Sequence, residues 1–265
     1  MENFKKYLKK IKFINNIYRK LISPKIKQSE LEIYFVRKLK NKGLACAVDV
    51  GANVGTYAVE FSKVAQNVFA FEPLKECAEG IENLKLKNTQ VFNYALSDEE
   101  NDLDLKVPLK EGAMVSGLAT LSHKNGLDEY ENIKTEKIKA IKFDNFWKVN
   151  FDQQIDIVKI DVEGYEMNVL DGMKELIPKY KPIFLVEIEK RHNPDYFQVF
   201  NFFEQLNYKP FFTRNGISIE KFDVQKIDEF QNEYEPKKFK RGDVNTYINN
   251  FFFLHKESDF IHEWN

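Results

Sequence analysis

The chain is poor in cysteine, with Cys46 and Cys77 alone among 265 residues. Two are too few for a disulfide framework. Each sits in an apolar context, so both read as small buried hydrophobes, consistent with a reducing compartment. An excess of charge of one sign is also lacking. Lys and Arg number 40 against 41 Asp and Glu, a formal net charge of -1, which removes the overall electrostatic case for nucleic acid as a partner. No apolar run is long enough to span a bilayer. The first residues have neither the uninterrupted apolar stretch nor the small-residue cleavage site of a signal peptide, so a cytoplasmic location is expected. Internal repeats and low-complexity tracts are absent. What remains is 43% hydrophobic and 31% charged, the balance of a soluble globular chain. The length suffices for one sizeable core, and no linker divides it.

The organisation follows from hydrophobic periodicity. Residues 1–43 read as a basic helical extension. Its first part, Met1 to Lys27, carries nine Lys or Arg against Glu2 alone. Phe4, Leu8, Ile11, Ile14, Ile17 and Leu21 follow helical spacing. Such a helix can lie on a membrane surface or a partner. Docking on the core with a solvated lysine face is the preferred reading, because moments of this kind are ordinary in globular helices. Residues 44–265 read as one α/β domain. Buried parallel strands are expected at Ala45–Val50, Asn67–Phe71, Gln90–Ala95, Ile155–Ile160 and Pro182–Glu187, with helices between them. A helix starting at Asn193-Pro194 should bury Phe197, Val199, Phe200, Phe203 and Leu206. This alternation specifies a doubly wound, mostly parallel sheet. Lys209–Thr213 and Asn250–Leu254 are two further strands, expected to pair as an antiparallel edge. Insertions near 97–143 and 218–246 interrupt the rhythm. The first should hold short half-exposed strands around a loop.

Three signals carry chemistry. In Asp49-Val50-Gly51-Ala52-Asn53-Val54-Gly55 a buried strand enters a glycine turn that opens a helix, the geometry of a nucleotide site at a sheet's carboxyl edge. The spacing is not G-x-G-x-x-G, and no Walker lysine follows. Asp49, an anion at the turn, disfavours pyrophosphate and suits a ligand with a cationic amino group, as S-adenosylmethionine has. Glu72 closes the second strand roughly twenty residues on, where an acidic residue can accept both ribose hydroxyls. Asp156–Gly164 places Asp161 and Glu163 at the end of the fourth strand, facing the same crevice as Gly51. Lys159 lies inside that strand, either in a structural ion pair or in the site, with Asp161 or Glu187 as partners.

Four segments, VDVGANVGTY (Val48–Tyr57), FAFEP (Phe69–Pro73), NYALSD (Asn93–Asp98) and DIVKIDVEGYEMNVLDG (Asp156–Gly172), resemble the FkbM-type methyltransferases. PIFLVEI (Pro182–Ile188) and NNFFFL (Asn249–Leu254) agree with them. SGLATL (Ser116–Leu121) is similar to the family's serine-rich insert, with Ala119 and Thr120 where serines are common. In IKFDNF (Ile141–Phe146), Lys142-Phe143 departs from its threonine-leucine-aspartate segment. The resemblance runs from about Leu44 to Leu254. It implies a class I, Rossmann-like fold of seven strands, the last antiparallel and inserted beside the sixth. It implies that Asp49, Gly51, Asn53 and Gly55, with Ala52 in the same loop, hold the methionyl end of S-adenosylmethionine. Glu72 would take the ribose, and Ala95, Leu96 and Asp98 would lie by the adenine. The family's members are mostly O-methyltransferases, often of sugars.

A sugar or glycan hydroxyl is therefore the expected acceptor. A lipid, a natural product, a protein side chain, or a non-catalytic S-adenosylmethionine-binding module are the alternatives. The hydroxyl must lose its proton, and Asp161, then Glu163, are the expected bases. Glu187 and His192 follow the fifth strand and could line the acceptor site. Tyr130, Trp147 and Tyr165 could stack on a sugar, though core or surface roles suit them as well. No metal is expected, since two carboxylates on a turn are a weak signal for one.

Overall fold

In the computed structural model, residues 30–122, 127, 130, 132–231 and 247–260 are described. The expected basic helix over Met1–Lys27 lies outside them, as does most of the 218–246 insertion.

Short runs of small or branched apolar residues make the main sheet. Its strands are β1 (Leu44–Val50), β2 (Ala65–Phe71) and β3 (Thr89–Phe92), then β8 (Ile157–Ile160), β9 (Ile183–Glu187), β10 (Tyr208–Phe212), β11 (Glu220–Lys221) and β12 (Asn250–His255). Their order is β11-β10-β12-β9-β8-β1-β2-β3. The five from β3 to β9 are parallel. β12 runs antiparallel between β9 and β10. This is the expected seven-stranded class I order, with the two-residue β11 added at one edge. The last two strands do pair antiparallel, but β12 is interior and not part of an edge. All six of its residues are buried, which explains the unbroken Phe251-Phe252-Phe253-Leu254 run.

Period-2 geometry divides the strand residues between two apolar layers. Cys46, Val48 and Val50 join Phe69, Trp147 and Val158 on one face. Ala47 joins Val68, Ile157, Leu185 and Phe252 on the other. Helices cover both faces: α1 (Ile33–Lys38), α2 (Thr56–Phe61), α3 (Lys75–Glu82), α4 (Phe143–Asn150), α5 (Glu166–Asp171), α6 (Ile177–Tyr180), α7 (Phe197–Gln205) and α8 (Ile227–Gln231). The described end of the 1–43 segment is core. Ile33, Phe35, Val36 and Leu39 are buried, and Arg37 donates to both carboxylate oxygens of Glu60 (2.8 and 3.0 Å). No helix among the described residues is long and apolar enough to cross a membrane.

Several sequence expectations need correction. The Gln90–Ala95 strand is two strands. β3 ends at Phe92, and β4 (Ala95–Ser97) belongs to a second sheet. The side chain of Asn93 turns the chain there, donating to Glu72 O (2.9 Å) and Pro73 O (2.8 Å). The first insertion holds long strands, not short ones: β5 (Asp102–Lys110) and β7 (Asn132–Lys142) form one antiparallel ladder, flanked by β6 (Ala113–Met114) and β4. Asn193 does not cap α7. Its Oδ1 accepts from Asp195 N (3.1 Å) within a turn, the helix starts at Phe197, and Phe197 is 46% exposed. Cys46 is buried, but Cys77 is only half-buried.

Candidate active site

Parallel register brings the three motifs together. Val50 pairs with Phe71 on one side and Ile160 on the other. The residues that follow, Gly51, Glu72 and Asp161, therefore leave the sheet side by side at its switch point. Gly51 has φ +75°, and a Cβ there would lie 1.9 Å from Asp161 O. Only glycine allows this approach of two backbones. Gly51 N and Ala52 N both donate to Phe71 O (3.0 and 3.1 Å). Asn53 also has a positive φ, +46°, and Gly55 at +85° starts α2.

One crevice lies above these ends. Of the residues expected from sequence, Gly51, Asn53, Glu72, Ala95, Leu96, Asp161 and Glu163 line it. Four do not. Asp49 is buried behind the turn, Ala52 packs with Ala58, Ala70, Ile81 and Leu84, and Gly55 faces Ile81 and Leu84. Asp98 lines a separate groove beside the crevice and accepts from Ser97 Oγ (3.1 Å) and Asn168 Nδ2 (2.9 Å).

Glu72 is fixed by backbone. Its Oε2 accepts from Asn53 N (2.7 Å) and its Oε1 from Leu74 N (2.8 Å). Burial pushes its carboxyl up to about 7, against these two donors. Burial likewise raises Asp49 to about 7, with the nearby Lys159 ammonium opposing it. Asp49 Oδ2 is buried without a hydrogen-bond partner among the described residues.

At the other end, Lys159 is 1% exposed, with Nζ 3.6 Å from Asp161 Oδ2 and 3.8 Å from Glu187 Oε2. Nζ also donates to Asn250 Oδ1 (3.1 Å). Burial works against this ammonium, but Asp161 and Glu187 outweigh it and hold its pKa above the usual value. Both expected partners are thus present. Asp161 is 32% exposed at the crevice. Glu163 touches His192 Nδ1. Of the three aromatics, only Tyr165 lines the crevice, with its OH 2.9 Å from Ser97 Oγ. Trp147 is core, and Tyr130 is half-buried elsewhere.

The insertions over 97–143 and 218–246 are expected from the sequence to build the acceptor pocket, and the first of them does supply one wall of the crevice, through Leu105, Ser116, Ala119 and Thr120. Ser116 Oγ donates to Asn53 Oδ1 (2.9 Å), and Thr120 Oγ1 donates to Glu163 O (2.7 Å). The similarity of SGLATL to a family insert points to the same wall, but not to these two contacts.

A family model described as the methyltransferase FkbM domain matches residues 49–210. Hexuronic acid methyltransferase AglP of Haloferax volcanii is 29% identical over 152 residues, 55% of this chain and 56% of that protein. The 2-O-methyltransferase NoeI of Sinorhizobium fredii is 27% identical over 148 residues, 52% of this chain and 60% of that protein. The matches thus span little more than half the length of these relatives. A crystal structure of methyltransferase FkbM from Methylobacillus flagellatus matches 95% of this chain and 60% of its own, with 12% identity and a TM-score of 0.48. The family match takes in the glycine turn, Glu72 and the Asp161–Glu163 turn, and on that ground the chain belongs to the FkbM methyltransferases.

Proposed function

We propose that the protein transfers a methyl group from S-adenosylmethionine to a sugar hydroxyl. The observation that carries this is Glu72, which lines the crevice beside the Gly51 turn with both carboxylate oxygens fixed by backbone donors, backed by the buried, unpartnered Oδ2 of Asp49 behind that turn. The ligand fits this donor set. A cationic methionyl amine suits carboxylates that burial has raised, because a nearby positive charge favours their ionised form. Glu72 keeps lone pairs for the ribose hydroxyls, and Ala95 and Leu96 offer an apolar surface to the adenine. The AglP and NoeI names, a hexuronic acid methyltransferase and a 2-O-methyltransferase, support a sugar hydroxyl as acceptor.

When bound, the cofactor supplies an electrophilic methyl on a sulfonium whose departure as a neutral thioether needs no acid. The chain's own task is to align a hydroxyl with that methyl and remove the proton. Alignment of this kind supplies about 7–11 kcal/mol in favourable cases. Asp161 and Glu163 stand at the crevice for the proton. Lys159 underlies Asp161 and anchors it.

The test is calorimetric titration with S-adenosylmethionine, S-adenosylhomocysteine and NAD, followed by an S-adenosylhomocysteine-release assay on a panel of neutral and acidic glycosides. Binding of the first two, weakened in Glu72→Ala, with turnover on a glycoside is expected. Binding of NAD alone would overturn the reading.

A further inference from the structure

Asp161 and Glu163 are two residues apart but electrostatically different. Asp161 sits 3.6 Å from the buried Lys159 ammonium. That ion pair, with Glu187 on the other side of the same ammonium, ties the Asp161 carboxylate to the strand beneath the crevice. The groups acting on Glu163 most strongly after burial are His192 and the carboxylates of Asp161 and Glu189. Burial pushes Glu163 up to about 7, where a carboxylate is both ionised and basic enough near neutral pH.

The backbone fixes this carboxylate. Glu163 has φ +51°, a left-handed conformation uncommon for a residue with a long side chain. Such outliers persist where the surroundings hold them and cluster at functional sites. Here Thr120 Oγ1 holds the Glu163 carbonyl. Glu166 Oε1 takes Gly164 N–H (2.7 Å), and Glu166 Oε2 takes the Asn193 amide (3.1 Å). At Gly164, φ +96°, a Cβ would come within 2.5 Å of His192 O. The loops after β8 and β9 are thus packed backbone to backbone, which sets His192 Nδ1 against Glu163. His192 is itself buried. Glu189, 3.8 Å from the same nitrogen, is tied to Arg191 and to Asn249 Nδ2 (2.8 Å). Glu187 accepts from Asn249 (2.6 Å) and faces Lys159.

We propose that Glu163 takes the acceptor's hydroxyl proton and that His192 is its positioning residue, with Asp161 restricted to binding. The inference rests on the methyl-transfer reading. The hydroxyl proton passes to a Glu163 carboxylate oxygen as the acceptor oxygen's electron pair forms the new C–O bond and the C–S pair stays on sulfur. His192, whose Nδ1 is in contact with Glu163, fixes the carboxylate's position and keeps the receiving oxygen turned toward the crevice.

The first readout needs neither cofactor nor acceptor. Carbon-13 NMR of the glutamate carboxyls, assigned with Glu163→Gln, follows Glu163 titration in the wild type and in His192→Ala. Loss of the histidine is expected to move the Glu163 midpoint to higher pH. The second readout is S-adenosylhomocysteine release on the glycoside panel against pH. Glu163→Gln is expected to lower kcat by about 10²–10⁴-fold, with cofactor affinity kept. His192→Ala should lower kcat more than it raises KM and move the acidic limb upward. His192→Asn, which keeps a polar group against Glu163, should restore the limb and keeps the test valid if the alanine variant folds poorly. Asp161→Asn should weaken S-adenosylmethionine binding first. A Glu163 midpoint unmoved by both His192 variants, or Glu163→Gln turnover within threefold of wild type, overturns the inference. A wild-type chain that binds no S-adenosylmethionine overturns the methyl-transfer reading instead.

Discussion

Asp49 shows what a buried carboxylate costs the folded protein. Burial raises its carboxyl from the usual 3.8 to about 7. Between those values the folded chain keeps a proton that the unfolded chain has released. The stability from this group is therefore full below about pH 4 and is lost as pH rises through about 7. Glu72, raised from 4.5 to about 7, acts in the same direction. Asp49→Asn removes one titration. It is expected to raise the melting temperature relative to wild type more at pH 8 than at pH 5 while weakening S-adenosylmethionine binding. Thermal melts at the two pH values, with and without cofactor, check this. An equal shift at both would mean that Asp49 is solvated or already paired.

At the level of elements, β8 carries the site through one charged residue in an otherwise apolar strand. Lys159→Met is close in size and removes the ammonium, leaving Asp161 and Glu187 without their cation. Breaking a buried pair in this way costs about 3–5 kcal/mol. The loss should be largest at pH 8 and smaller at pH 5, where Glu187, whose carboxyl burial already pushes up, takes up a proton. Urea denaturation at both pH values measures it. β8 was also the most legible element: its apolar run, its lysine and the two acids after it were all readable, because a strand buried on both faces has a nearly unbroken apolar sequence. β5 and β7 were underestimated because a half-exposed ladder alternates weakly. In β7 the Lys and Glu residues dilute the pattern, and Ile133 is itself 44% exposed. Asn193-Pro194 has the form of a helix start, but Asn193 serves Asp195 and Glu166 instead. The crevice floor was readable because its residues follow strand ends in sequence. The Thr120 and His192 contacts were not, since each depends on a loop folding back across the site.

For the whole molecule, a ligand that binds only the folded state should raise its stability by mass action. At 100 times Kd this amounts to about 2.7 kcal/mol, or roughly 5–10 °C in melting temperature for a chain of this size. S-adenosylmethionine should give this shift and NAD should not, because Asp49 and the glycine spacing oppose a pyrophosphate. A shift with NAD alone in a thermal scan would contradict the site as described. The position of β12 has a further consequence, during synthesis. β9 and β10 do not touch each other; β12 lies between them, and it follows β10 by roughly forty residues. At the roughly 5–20 residues per second of translation, the ribosome holds two unpaired strand edges for roughly 2–8 s before the strand that joins them exists. During that interval the backbone groups of β9 and β10 that later pair with Phe251–Leu254 have no partner, a template for wrong strand pairing.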